Sequence, residues 1–242
     1  MDEKKVAIVT GGATGIGAAC VRDLSVRGFR VGIGFRSSIE AAQHLLAGIA
    51  DGFLIPVDLA DIAGIDLMVD KLKEETDRVD VLVNNAGISI DIDMLRMKIE
   101  QFDQQRAAAR GAWYLTKRIL RQYMFRANSG RIINISSVVG HTGNAGQIPY
   151  TMEKAAMDAL TKSLCRELKG REILVNSVAP GFIMTGMTAR LPEEVSEGII
   201  SSIPLGRMGH PEEVAEVVGF LATSGTYITG TVIHVNGGLY GG

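Results

Sequence analysis

Short apolar runs of strand length alternate along this chain with longer segments in which apolar residues recur at helical spacing. Val6–Thr10 reads as a first strand, followed by a helix from about Ile16 to Val26 that stops at Gly28. Arg30–Phe35 is a second strand and Ile39–Ala50 a second helix. Phe53–Val57, Val79–Val83, Arg131–Ile135 and Leu174–Val178 continue the series, with Val232–Val235 as a last strand before a Gly-rich tail. The strands are near-continuous apolar runs, which predicts burial on both faces in a parallel sheet. Helical segments between them supply the right-handed crossovers of a doubly wound α/β fold in three layers. The long helices Glu100–Phe125 and Tyr150–Leu168 are apolar around much of their circumference, which is compatible with a helix-on-helix contact between subunits.

No internal repeat, low-complexity tract or linker divides the 242 residues, so a single domain over 1–242 is expected. One stretch breaks the rhythm. From Pro180 to about Pro204 there is no strand, only Gly, Met, Thr and a short helical patch, which makes it a candidate lid over a site. The blander reading is a surface insertion. Abundant Gly (29 residues) and sparse aromatics agree with tight strand–helix turns. A net charge of -2 offers no general attraction for nucleic acid or an anionic membrane. Two cysteines, Cys20 and Cys165, make no disulfide framework and favour a reducing compartment. The charged Met1–Lys5 runs straight into a strand, and no segment has the length of a bilayer span, so a cytoplasmic protein is expected. His44, His141, His210 and His234 show no metal-ligand spacing, and no catalytic metal is expected.

Chemistry concentrates at the strand ends. Thr10-Gly11-Gly12-Ala13-Thr14-Gly15-Ile16-Gly17 closes the first strand and opens a helix. Glycines there permit a tight turn and close approach of a pyrophosphate, which the helix N-terminus favours. This is a Rossmann-type dinucleotide turn, although its spacing is G-x-x-x-G-x-G. An NAD site places a carboxylate at the end of the second strand. Here Arg36, Ser37 and Ser38 occupy that end, a set suited to the 2′-phosphate of NADP(H). Asp58, with Leu59 after it, ends the third strand where a carboxylate can accept a hydrogen bond from adenine. Asn84-Asn85-Ala86-Gly87 ends the fourth, at the edge where such sheets bind ligands.

Tyr150 and Lys154 are four residues apart at the start of a helix, hence on one face and one turn apart. A neighbouring ammonium favours the phenolate and brings a tyrosine towards working pH. Ser137, just past the fifth strand, can hydrogen-bond a substrate carbonyl oxygen.

Taken together, Thr10–Gly17, Asn84–Gly87, Ser137, Tyr150–Lys154 and Pro180–Thr185 (P-G-x-x-x-T) make the whole chain resemble the short-chain dehydrogenase/reductase family. Within it the chain is most similar to the 3-oxoacyl-[acyl-carrier-protein] reductases, through NNAGISIDIDMLRM, ISSVVGHTGNAGQIPY, VNSVAPGFIMTGMT and YITGTVIHVNGG. The Tyr–Lys spacing differs from that of the enoyl reductases. The resemblance implies a homotetrameric, NADPH-dependent ketoreductase. Its cofactor shell would comprise Gly11, Thr14, Gly15, Ile16 and Gly17, then Arg36, Ser37, Asp58 and Leu59. Asn85, Ala86 and Gly87 would follow, with Pro180 and Gly181. Ile183 and Thr185 would meet the nicotinamide amide. Tyr150 would give the proton, Ser137 would hold the oxygen, and Lys154 would bind the ribose and tune Tyr150. Gln147 is a substrate contact or a turn residue.

One departure stands out. The family's Asn, in a phrase resembling V-N-L-x-G, falls on Ala108 or Ala109 here, and one residue is missing. A more regular helix and a rerouted or weakened proton relay are expected. Three readings therefore remain. They are a reductase of 3-oxoacyl thioesters on acyl carrier protein or coenzyme A, a reductase of other small ketones, and a cofactor-binding inactive subunit. Arg126, Arg131, Lys169 and Arg171 offer a basic rim to an acidic carrier, or simply a solvated face.

Overall fold

A computed structural model describes residues 4–186, 188 and 192–241. Chain order runs β1 (Val6–Val9), α1 (Gly15–Val26), β2 (Arg30–Phe35), α2 (Ile39–Ala47), β3 (Gly52–Pro56), α3 (Ile62–Glu75) and β4 (Val81–Asn84). Then come α4 (Ile99–Ile119), a π-helical turn (Leu120–Met124), α5 (Phe125–Ala127) and β5 (Ser129–Ile135). The remainder is α6 (Val139–Thr142), α7 (Ile148–Glu167), β6 (Glu172–Pro180), α8 (Glu193–Ser202), α9 (Pro211–Thr223) and β7 (Val232–Val235).

All strand pairings among the described residues are parallel, in the order β3-β2-β1-β4-β5-β6-β7. The order reverses between β1 and β4, the place where a doubly wound sheet opens a ligand crevice. Apolar strands supply both cores. Ala7, Val9, Val81 and Val83 pack with α1, α2 and α9 on one face. Val6, Ile8 and Leu82 pack with α3, α4 and α7 on the other.

Two expectations change. The helix predicted over 100–125 ends at Ile119 and widens into the π turn. The extra residue in that turn lets the consecutive Tyr123 and Met124 both reach the core, at 6% and 0% exposure. Asn128, left-handed at φ 50, then ends the helix before β5. In the predicted lid over 180–204, β6 reaches Pro180, Ile183 bridges to Gly209, and α8 forms the helical patch. Met187 and residues 189–191 of that stretch lie outside the described residues.

The expected regularity near Ala108 and Ala109 is present, since α4 runs unbroken past both. No helix among the described residues is long and apolar enough to cross a membrane.

Candidate active site

The carboxyl ends of β1 and β4 are stitched together by Thr10. Its hydroxyl accepts the Asn85 and Ala86 backbone N–H groups at 3.0 and 3.1 Å and donates to the Val83 carbonyl. The Asn85 amide donates to the Thr10 and Gly11 carbonyls at 2.9 and 3.1 Å, so this side chain holds the glycine turn in shape. Gly11 (φ 61) lies so close to β4 that a β-carbon would stand 2.9 Å from the Ala86 Cα. A β-carbon at Gly17 would collide with the Gly11 carbonyl, which is why the first turn of α1 sits down on the loop. Thr14 caps α1 without a side-chain hydrogen bond, and no acidic residue occupies the first turn. Ile16 is half-buried there. The turn is therefore a glycine cradle ending in an electropositive helix terminus.

The neighbouring strand ends border this cradle. Gly12 donates to the Gly34 carbonyl at 2.7 Å, which brings the end of β2, and exposed Arg36 and Ser37 beyond it, to the same edge. Asp58 is half-buried, and one of its carboxylate oxygens accepts the Ala60 N–H at 2.9 Å. Leu59 is buried, its carbonyl pressed against Gly111 of α4. Across the crevice, Val138 donates to the Pro180 carbonyl, and Gly181 donates to the Val235 carbonyl. Ile183 is buried, and Thr185 lies over the glycine turn, its methyl 3.4 Å from where a Gly15 β-carbon would be.

The second half of the site is built by β5, α6 and α7. Lys154, only 9% exposed, donates from Nζ to the Ile135 carbonyl at 2.8 Å, at the last residue of β5. Ser137 follows two residues later, buried, with its Oγ 3.4 Å from the Val139 N–H. The half-buried Tyr150 ring centre lies 5.5 Å from the Lys154 ammonium. Gly87 faces that ammonium with no side chain between, since a β-carbon there would be 3.5 Å from Nζ. The three predicted residues thus converge at the carboxyl edge of the sheet.

Gln147 is committed elsewhere. Its amide donates to Ser89 and Asp91 and accepts from Asn144, holding the 89–91 loop against the start of α7. The basic rim also moves. Arg131 and Arg171 sit where β5 and β6 begin, the opposite edge of the sheet, and bind backbone carbonyls there. A larger open groove of about 320 Å³ lies at that far edge too, beside Lys4, Arg30, Lys73 and Glu75. Its walls are surface ion pairs, with nothing suited to redox chemistry.

Two residues at the site were missed by sequence reasoning. Gln105, 2% exposed on α4, donates to the Ile88 carbonyl and accepts the Ile90 N–H, fixing the loop after Gly87. Glu153, 8% exposed, lines a small cavity behind Tyr150 and Lys154. A signal for Glu153 existed: residues 150, 153, 154 and 157 follow i, i+3, i+4, i+7 on one helix face.

Comparison with known proteins agrees with this geometry. The sequence model of a family described as Enoyl-(Acyl carrier protein) reductase matches residues 11–240. The chain belongs to the short-chain dehydrogenase/reductase family. Curated relatives include the 3-oxoacyl-[acyl-carrier-protein] reductase of Haemophilus influenzae, 44% identical over 239 residues and 98% of each chain. That of Escherichia coli is 42% identical over 98% of each chain. That of Staphylococcus aureus is 41% identical over 99% of this chain and all of its own.

Proposed function

We propose that this chain reduces a 3-oxoacyl thioester, carried on acyl carrier protein, to the 3-hydroxyacyl thioester at the expense of NADPH. The observation that carries the reading is Lys154, pinned to the end of β5 two residues before Ser137 with the Tyr150 ring beside it. The names and near-complete overlap of the three relatives supply the substrate class.

The residues present fit a nicotinamide dinucleotide. Gly11 and Gly17 let the turn close tightly on Ala86 and the first turn of α1, Gly87 leaves the Lys154 ammonium uncovered, and the start of α1, with no side-chain cap, suits a diphosphate. Arg36 and Ser37 would hold the 2′-phosphate, and Asp58, Leu59, Ala86, Pro180, Gly181, Ile183 and Thr185 would border the rest. When bound, the reduced nicotinamide supplies a hydride. Ser137 Oγ donates to the substrate carbonyl oxygen and orients it. Tyr150 Oη gives that oxygen a proton as negative charge develops on it. Lys154 stabilises the phenolate left behind.

The family description names enoyl reduction, and the one-turn spacing of Tyr150 and Lys154 favours a ketone instead. Offered NADPH with a short 3-oxoacyl thioester or the matching 2-enoyl thioester, the protein should consume NADPH only with the first. Consumption only with the second would overturn this reading.

Free Cys20 and Cys165 support a cytoplasmic setting. Exposed Ile99 and Trp113 on α4, and Ile148 and Met152 on α7, support a homotetramer joined through these helices.

A further inference from the structure

Each turnover at such a site removes one proton from Tyr150, and the phenolate must recover it from water before the next. Behind Tyr150 and Lys154 lies a cavity of about 20 Å³, room for roughly one water molecule. Its α4 wall is Gln105, Ala108, Ala109 and Ala112, and Gln105 has both amide ends bound to the 88–90 loop. None of these side chains can deliver a proton.

Glu153 can. Its Oε2 is buried without a hydrogen-bond partner, in a residue lining the cavity that Lys154 and Tyr150 also line. Its Oε1 lies 3.4 Å from Nε of Arg106 on α4, whose side chain is 57% exposed. The carboxyl thus spans from the protein surface to the cavity. A buried carboxylate oxygen with no partner is expensive to keep, so a residue of this kind asks for a reason. The charged and titratable groups facing it are Arg106 from α4, and Tyr150 and Lys154 from its own helix. Burial pushes the carboxyl above the usual carboxylate range, against the pull of Arg106, Lys154 and the Ala109 backbone N–H, so it keeps its proton to higher pH than an exposed carboxyl.

We propose that Glu153 returns the proton to Tyr150, through a water in this cavity and the Lys154 ammonium, and recharges from solvent beside Arg106. The proposal rests on the ketoreductase reading given above. The Lys154 ammonium first gives a proton to the Tyr150 phenolate, its N–H bond breaking and leaving a neutral amine. That amine takes a proton from the cavity water, the water takes one from the Glu153 O–H, and the Glu153 carboxylate is then reprotonated from solvent. No electrons move, and one solvent proton is consumed per ketone reduced. In this scheme Glu153 acts through Lys154, so it is a proton-supplying residue and not a catalytic one.

The test is the pH profile of kcat in the full-length protein, with Glu153→Gln and Arg106→Ala beside the parent. In the parent, kcat should fall as rising pH empties the carboxyl. Glu153→Gln should lower kcat about tenfold near neutral pH, leave KM within about twofold and abolish that fall. Arg106→Ala, changed at an exposed side chain, should shift the fall to higher pH, because the lost guanidinium no longer favours the carboxylate. Added formate should restore part of the rate to Glu153→Ala. NADPH binding followed by fluorescence should be unchanged in all variants. An unmoved profile in both Glu153→Gln and Arg106→Ala would overturn the proposal. So would an absence of formate rescue in a folded, NADPH-binding Glu153→Ala. A parent that binds NADPH yet reduces no ketone would instead count against the ketoreductase reading.

Discussion

On the cofactor side of this crevice, a β-carbon at Gly17 would collide with the Gly11 carbonyl, and one at Gly11 would press on the Ala86 backbone. On the proton side, the α4 wall is lined by the methyl groups of Ala108, Ala109 and Ala112, with Glu153 reaching in from α7. The first region is fixed by backbone contacts, which leave no room for substitution. The second is defined by side chains around a space of water size, where a hydrogen-bonding group can move from one helix to the other. The glycine cradle carries the T-G-x-x-x-G-x-G motif, whereas Ala108 and Ala109 stand where the resemblance puts an Asn. Under the proposal above, the cofactor geometry is kept while the proton route runs through Glu153.

Three substitutions sharpen this contrast. Tyr150→Phe should lower kcat by about 10²–10⁴-fold with NADPH affinity retained, as measured by NADPH absorbance and by fluorescence titration. Comparable loss of binding would mean that the two halves are not separable. Arg36→Ala, on the cradle side, should do the reverse. It should weaken NADPH by roughly 10- to 100-fold, leave NADH nearly unchanged and leave saturated kcat intact. Equal effects on both cofactors would remove Arg36 from the 2′-phosphate.

The smallest effect concerns stability. Because burial raises the Glu153 carboxyl in the folded protein, folding binds a proton there more tightly than the unfolded chain does. Its stability contribution is present below the ordinary carboxylate range and is lost as pH rises through the raised folded value. Glu153→Gln removes this titration. Its unfolding midpoint should gain on the parent's across that window and stay level above it, in paired thermal melts. A difference that shrinks across the same window would contradict the burial argument.

Much of this was legible in the sequence, because it was written in residues with few alternatives. The positive φ of Gly11 and Gly15, the one-turn spacing of Tyr150 and Lys154, and the apolar strands fix the sheet edge and what it presents. The π turn was not legible. It arises from burying both Tyr123 and Met124, which depends on how the chain turns back six residues later so that Met124 packs on Gly130 at the start of β5. Glu153 was signalled only by its place on the helix face of Tyr150 and Lys154. A glutamate on a helix reads as a solvated charge, and it is buried here where α7 meets the alanine-lined face of α4. The packing role of Asn85 emerges only from the glycine turn it holds, whereas Gln147 takes the turn role already offered beside substrate contact.

The most direct test of the central claim is a stoichiometric turnover of the parent protein. NADPH loss and 3-hydroxyacyl product are followed together with a short 3-oxoacyl thioester on acyl carrier protein. The account predicts one product per NADPH consumed, at a kcat within about 1–10³ s⁻¹. Tight NADPH binding with no product from this or any other ketone would contradict it, and would identify a cofactor-binding subunit whose altered α4 has ended catalysis.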